Sequence, residues 1–158
     1  MGLSIEFYAA EPRKLVALFT DTTLDDEQYF ARLEGLPMAD FSLHLQLPED
    51  LDRLSITLQK HGFEAPSTFR EFLQEELWYD GATESLTLLT DTFATLFARL
   101  SDDHLAQVAT DWAAEFGYQQ PIIHTPAYKA LYELRDIASH VINHRLSIVT
   151  YLLGASGF

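Results

Sequence analysis

Cysteine is missing from this chain altogether. Its absence removes disulfide staples, thiolate nucleophiles and cysteine-ligated zinc together, and it fits a protein of the reducing cytoplasm. Basic residues are scarce: ten Lys and Arg stand against 24 Asp and Glu, for a formal charge of −14. The imbalance is no detachable tail. The first 79 residues carry six basic and fifteen acidic side chains, and the remainder carry four and nine. A surface this negative repels phosphate, which argues against nucleic acid and against an anionic membrane as partners. It suits a basic protein partner, although acidity also serves solubility alone. Long apolar runs are missing too, since residues 148–153 are far too few to cross a bilayer. The opening Met1-Gly2-Leu3-Ser4-Ile5-Glu6 lacks the basic and apolar regions of a secretion signal, and Glu6 stands where myristoylation wants Ser or Thr.

What is present is globular. With 47% hydrophobic, 13% aromatic and 22% charged residues, 158 residues suffice to bury the core of one domain, residues 1–158. Leu3, Ile5 and Phe7 alternate with Ser4, Glu6 and Tyr8, which predicts a strand near residues 3–8. Pro12 opens a helix with Leu15, Leu18 and Phe19 inward, and a second helix starts near Thr23 and stops at Gly35. Phe41, Leu43, Leu45 and Leu47 alternate with Ser42, His44 and Gln46, predicting a strand over residues 41–47. Pro48 then begins a helix carrying Leu51, Leu54 and Leu58, with Gly62 as its stop.

Thr68 and Glu71 have the spacing of a capping box, so a helix is expected through Phe69, Phe72, Leu73 and Leu77. After the break at Asp80-Gly81, a long helix is expected with Leu86, Leu89, Phe93, Leu96, Phe97 and Leu100 on one stripe. Ser101 caps another, with Leu105, Val108, Trp112 and Phe116 inward and Gly117 at its end. Thr125-Pro126 starts the last helix, and the β-branched, apolar run 147–152 reads as a central terminal strand paired with residues 3–8. The sum is an α+β fold with a small sheet of about three strands packed against six or seven helices.

The order of these elements resembles the YfbM-like bacterial proteins. Met1-Gly2-Leu3 leads into a short strand and a helix, and Leu77-Trp78-Tyr79-Asp80-Gly81 occupies the place of a Gly-Tyr-rich segment. Leu100-Ser101-Asp102-Asp103-His104-Leu105 resembles the helix–cap–helix step, and a Tyr- and Leu-rich helix ends in a strand near the C-terminus. The sequence departs from the family in the first half, where its tryptophan–histidine segment is not found and Phe41-Ser42-Leu43-His44 stands roughly in that place. The resemblance implies an α+β fold and assigns no activity, because none is established for that family.

Chemistry has few places to reside. Asp136, His140 and His144 share one face of a continuous helix, a spacing that would supply three ligands to a metal. The segment from His140 to Arg145 is also similar to the His-rich helix of DinB-like metal proteins, but Leu146-Ser147 replaces that family's Gly-Gln. Against a metal, Tyr128, Leu131, Leu134, Ala138, Val141 and Ile142 form the apolar stripe of the same helix. The histidines fall with Lys129 and Glu133 on the face turned to water. His44, His61, His104 and His124 are scattered, and no nucleophile elbow, phosphate loop or His-Glu-x-x-His is present.

Trp78, Tyr79 and Asp80 bring large aromatics to a chain break. They read either as a partner-binding surface or as rings folded back to close the core. The leading expectation is a non-enzymatic cytoplasmic protein, with no cofactor, that binds a macromolecular partner, a basic protein foremost, as acidic adaptor or immunity proteins do. The alternative is a metal-binding protein or metal-dependent enzyme using His140 and His144.

Overall fold

Ile5, Phe7 and Ala9 turn to one side and Glu6, Tyr8 and Ala10 to the other along strand β1 (Ser4–Ala10). This is seen in a computed structural model that describes residues 4–43, 45–115 and 125–154. Helix α1 (Pro12–Thr20) follows, capped by the Glu11 carboxylate and opened by Pro12. Helix α2 (Asp26–Glu34) has a complete capping box between Asp25 and Gln28 and ends at Gly35. The first helix starts at the expected proline; the second ends at the expected glycine but begins at Asp26 instead of near Thr23, because Asp25 takes the cap.

Strand β2 (Met38–Asp40) is short and pairs antiparallel with β1. The strand expected over residues 41–47 is therefore corrected. The Asp40 carboxylate accepts from the Ser42 N–H at 2.9 Å, and the Leu43 N–H turns back to the Phe41 carbonyl at 2.8 Å. Those local bonds end the ladder. Phe41 and Leu45 are still buried, so alternating burial occurs here without a strand; His44 lies outside the described residues. Helix α3 (Glu49–Lys60) then packs Leu51, Leu54 and Leu58 inward, as expected. Buried Asp50 fastens its start by accepting from the Gln46 N–H and Arg53, while its carbonyl takes the indole N–H of Trp112 at 2.9 Å.

The two helices expected between Phe69 and Leu100 are replaced in large part by a hairpin. The capping box of Thr68 and Glu71 forms, but it opens only a 3₁₀ turn (Phe69–Phe72) that leads into strand β3 (Leu73–Tyr79). Strand β4 (Glu84–Leu89) returns antiparallel to it, and only α4 (Asp91–Ala98) is helical. Two register shifts along β3, between Leu73 and Glu75 and between Glu76 and Trp78, disturb its period of two. Leu73 consequently packs against the larger core and Leu77 against the smaller one, although they stand four apart as on one helical face. The hairpin turn is held by Asp80, whose Oδ1 accepts from the N–H groups of Ala82, Thr83 and Glu84, and by Gly81 at φ +85.

Helix α5 (Asp102–Ala114) has Ser101 as its cap, and Leu105, Val108 and Trp112 are fully buried; Phe116 and Gly117 lie outside the described residues. Helix α6 (Pro126–His144) starts at the Thr125 cap and ends where Arg145 turns left-handed, φ 55 and ψ 41. That single residue redirects the chain into strand β5 (Ser147–Leu153), which pairs antiparallel with β1 over its whole length. The terminal strand read from residues 147–152 is thus present and central. Among the described residues the sheet has five strands, not about three, in the order β2-β1-β5-β4-β3.

One face of the sheet carries the larger core, with leucines and aromatics of α3 to α6 against Ile5, Phe7, Ile148 and Leu152. The other packs Tyr8, Leu86, Val149 and Tyr151 against Leu15, Val16, Phe19 and Leu33 of the first two helices. Among the described residues no helix is long and apolar enough to cross a membrane. Arg145 adopts a conformation that favours glycine, and its side chain is exposed. Arg145→Gly is expected to raise stability by up to about 1 kcal/mol, relief of the left-handed strain outweighing added freedom of the unfolded chain. A fall in the urea midpoint would contradict that account of the α6–β5 turn.

Candidate functional site

Several residues at the edge of the smaller core are only partly buried. Side-chain parity places Glu6 and Tyr8 of β1, Val149 and Tyr151 of β5, and Glu84 and Leu86 of β4 on the same face. Phe19 of α1 leans into this face. Its ring lies 5.0 Å from Tyr151, 5.8 Å from Tyr29, 6.3 Å from Tyr8 and 6.4 Å from Trp78. Tyr8 and Tyr151 are buried, whereas Glu6, Glu84, Phe19, Tyr29 and Trp78 are half-buried. Five aromatic rings and two half-buried carboxylates thus gather on this face, an aromatic cluster with acids at its edge.

Each carboxylate is held by a phenol. The Tyr8 hydroxyl donates to Glu6 Oε2, and the Tyr151 hydroxyl donates to Glu84 Oε1 at 2.7 Å. Glu6 Oε1 and Glu84 Oε2 receive no hydrogen bond from any described residue, and neither acid belongs to an ion pair among them. Burial first, then the hydrogen bond and negative charge of Glu6, push the Tyr8 hydroxyl well above its ordinary value of 10.0. Tyr151 is raised by burial and then by Glu84, and Tyr29 by burial and then by the charges of Glu84 and Glu6. Both glutamates therefore act on one set of phenols.

These shifts set a pH dependence. The folded phenols titrate above the unfolded ones, so their stabilisation is whole below pH ~10 and is lost as pH climbs beyond it. Tyr8 and Tyr151 should ionise only on unfolding, with the urea midpoint falling through the alkaline range. Following the tyrosinate absorbance of the seven tyrosines tests this. Ionisation of all seven in one step near the ordinary value, in folded protein, would exclude it.

No protein-family model, no curated protein and no solved structure matches this chain. The candidate site consequently rests on its own geometry.

Of the residues singled out from the sequence, Trp78 belongs to the cluster and packs against the smaller core. Tyr79 faces away from the core, 51% exposed, and its hydroxyl reaches the Ala82 carbonyl at 3.3 Å. Asp80 is exposed, and its backbone hydrogen bonds hold its carboxyl below the usual carboxylate range. His140 and His144 stack with ring centroids 4.2 Å apart on α6, beyond the other side of the sheet from the cluster. His140 lines a small cleft with Glu133, Asp136 and Met38. Among the described residues, no three His, Asp or Glu side chains converge as metal ligands would. The apolar stripe of α6 keeps Leu131, Leu134, Ala138 and Val141 as expected, but Ile142 is 50% exposed, Tyr128 is half-buried, and Ala127, Ala130 and Ile137 are buried as well.

Sequence reading passed over Glu6, Tyr8, Phe19, Tyr29, Glu84 and Tyr151. Glu6 and Tyr8 were visible as the polar face of β1. The remaining signal was the alternation of Glu84, Leu86 and Leu88 with Ser85 and Thr87 directly after a Gly turn, which marks a returning strand.

Proposed function

We propose that this is a non-enzymatic binding protein whose aromatic cluster receives a basic side chain, an arginine foremost, from a protein partner. The observation that carries this reading is the pair of half-buried carboxylates, each with one oxygen bound to a phenol and the other unused. The charges of Glu6 and Glu84 both act on Tyr29 and Tyr151, so the two unused oxygens are acceptors in one neighbourhood, and charge-assisted hydrogen bonds there favour a guanidinium. Its planar fork reaches two separate acceptors, and its weakly hydrated face stacks on aromatic rings. Phe30, 59% exposed on α2 and 5.4 Å from the Tyr29 ring, offers apolar contact beside the cluster. The overall charge of −14 would speed the approach of a basic surface.

Residence in the cytoplasm and kinship with the YfbM-like proteins belong to the same proposal, the latter on Met1-Gly2-Leu3 and the helix–cap–helix step at residues 100–105. Neither assigns an activity. Calorimetry with an arginine-containing peptide and its citrulline counterpart tests the reading. The neutral isostere should bind at least about tenfold more weakly, and added salt should weaken the arginine peptide. Equal affinity for the two peptides would refute it.

A further inference from the structure

On the other flank of α1, away from the aromatic cluster, lies a cavity of about 480 Å³ between α1 and the segment joining α2 to β2. Ala10, Leu15, Ala17, Leu36, Pro37 and Leu146 form its apolar wall. The space arises where β1 ends in Ala10, which puts only a methyl group on the face covered by the first two helices. Such a wall offers water few hydrogen-bond partners, and the volume is of the size that small-molecule sites have.

The mouth decides the head group. Two acids and two bases border it: Glu11, Asp21, Lys14 and Arg32. Both acids are already engaged. Glu11 accepts from the N–H groups of Arg13 and Lys14 at 3.3 and 2.9 Å. Asp21 Oδ1 accepts from the Thr23 N–H and hydroxyl at 2.9 and 2.6 Å, while its Oδ2 stands 4.0 Å from Arg32. The Lys14 ammonium makes no ion pair or hydrogen bond with a described residue, and Arg32 has only that one distant pair. Two acids and two bases leave the lining without net charge, and its free hydrogen-bond donors are Lys14 and Arg32.

We propose that the α1–α2 cavity binds a small amphipathic monocarboxylate, its apolar body inside and its carboxylate at Lys14 and Arg32. The chain's net charge of −14 opposes an anion at long range. Burial of the apolar body consequently supplies most of the affinity, and the two bases select the head group. This inference is independent of the aromatic cluster and uses none of its residues.

The test is calorimetric titration of the whole protein with octanoate and with octanamide, a neutral ligand of equal length. Octanoate should saturate one site, with octanamide about tenfold weaker. Lys14→Gln should weaken octanoate and leave octanamide unchanged. Ala17→Phe, at an exposed helical position where the fold is checked by circular dichroism, should fill the space and weaken both. Absence of saturable octanoate binding, equal affinity for the two ligands, or indifference to Ala17→Phe in folded protein would each overturn the assignment.

Discussion

Replacing Phe93 with alanine is expected to lower the free energy of unfolding by about 3–5 kcal/mol, the range for deleting a large aromatic from a close-packed core. Phe93 has no exposed surface and stands at the centre of the larger core. Its ring lies 4.7 Å from Phe97, 5.0 Å from Phe72, 5.8 Å from Phe69 and 5.9 Å from Phe7. Those partners come from α4, the 3₁₀ turn and β1, so several elements lose contact at one vacancy. Since each is itself fixed by neighbours, collapse into the vacancy is only partial and most of the penalty stays. Urea denaturation measures it, as a lower midpoint with an unchanged slope. Phe30→Ala supplies the contrast, because a ring 59% exposed on α2 should cost no more than about 0.5 kcal/mol. Comparable losses at the two positions would show that the core is not organised around Phe93.

The second large effect concerns binding. Glu6→Gln and Glu84→Gln should each weaken the arginine peptide by about tenfold or more, and together by more than about a hundredfold. Glutamine keeps an oxygen that can accept from Tyr8 or Tyr151, so the cluster retains its shape while its charge is removed. Stability should therefore hold, since each phenol keeps an acceptor. That pairing of outcomes separates a binding role from a structural one. If the double variant still binds the peptide with unchanged salt dependence, the cation is held elsewhere on this acidic surface.

How far these residues could be foreseen depends on how local their signals are. The caps at Ser101 and Thr125, and the prolines opening α1 and α6, act within one helical turn, and those elements began where the signals stood; α2 began at Asp26, later than the start read near Thr23, because Asp25 takes the cap. The β5 run was legible for a related reason, as its side chains are apolar on both faces and leave no solvated helical stripe. The hairpin was not. With two register shifts in β3, its apolar residues match helical spacing as well as strand spacing, and only pairing with β4 decides between them. At residues 41–47 the alternation was real and the strand was not, because Asp40 and Phe41 engaged the backbone locally before a ladder formed.

The sequence by itself determined the acidity, the absence of cysteine chemistry, the α+β class, most helix starts and the central terminal strand, all of which depend on composition or on neighbours a few residues apart. Only the tertiary structure decided the aromatic cluster. Glu6, Glu84 and Tyr151 come from three strands far apart in the chain, and the registers of β1–β5 and β4–β5 put all three on one face. A shift of one residue in either pairing would send a carboxylate to the opposite face, among the leucines of the larger core, because strand side chains alternate with a period of two.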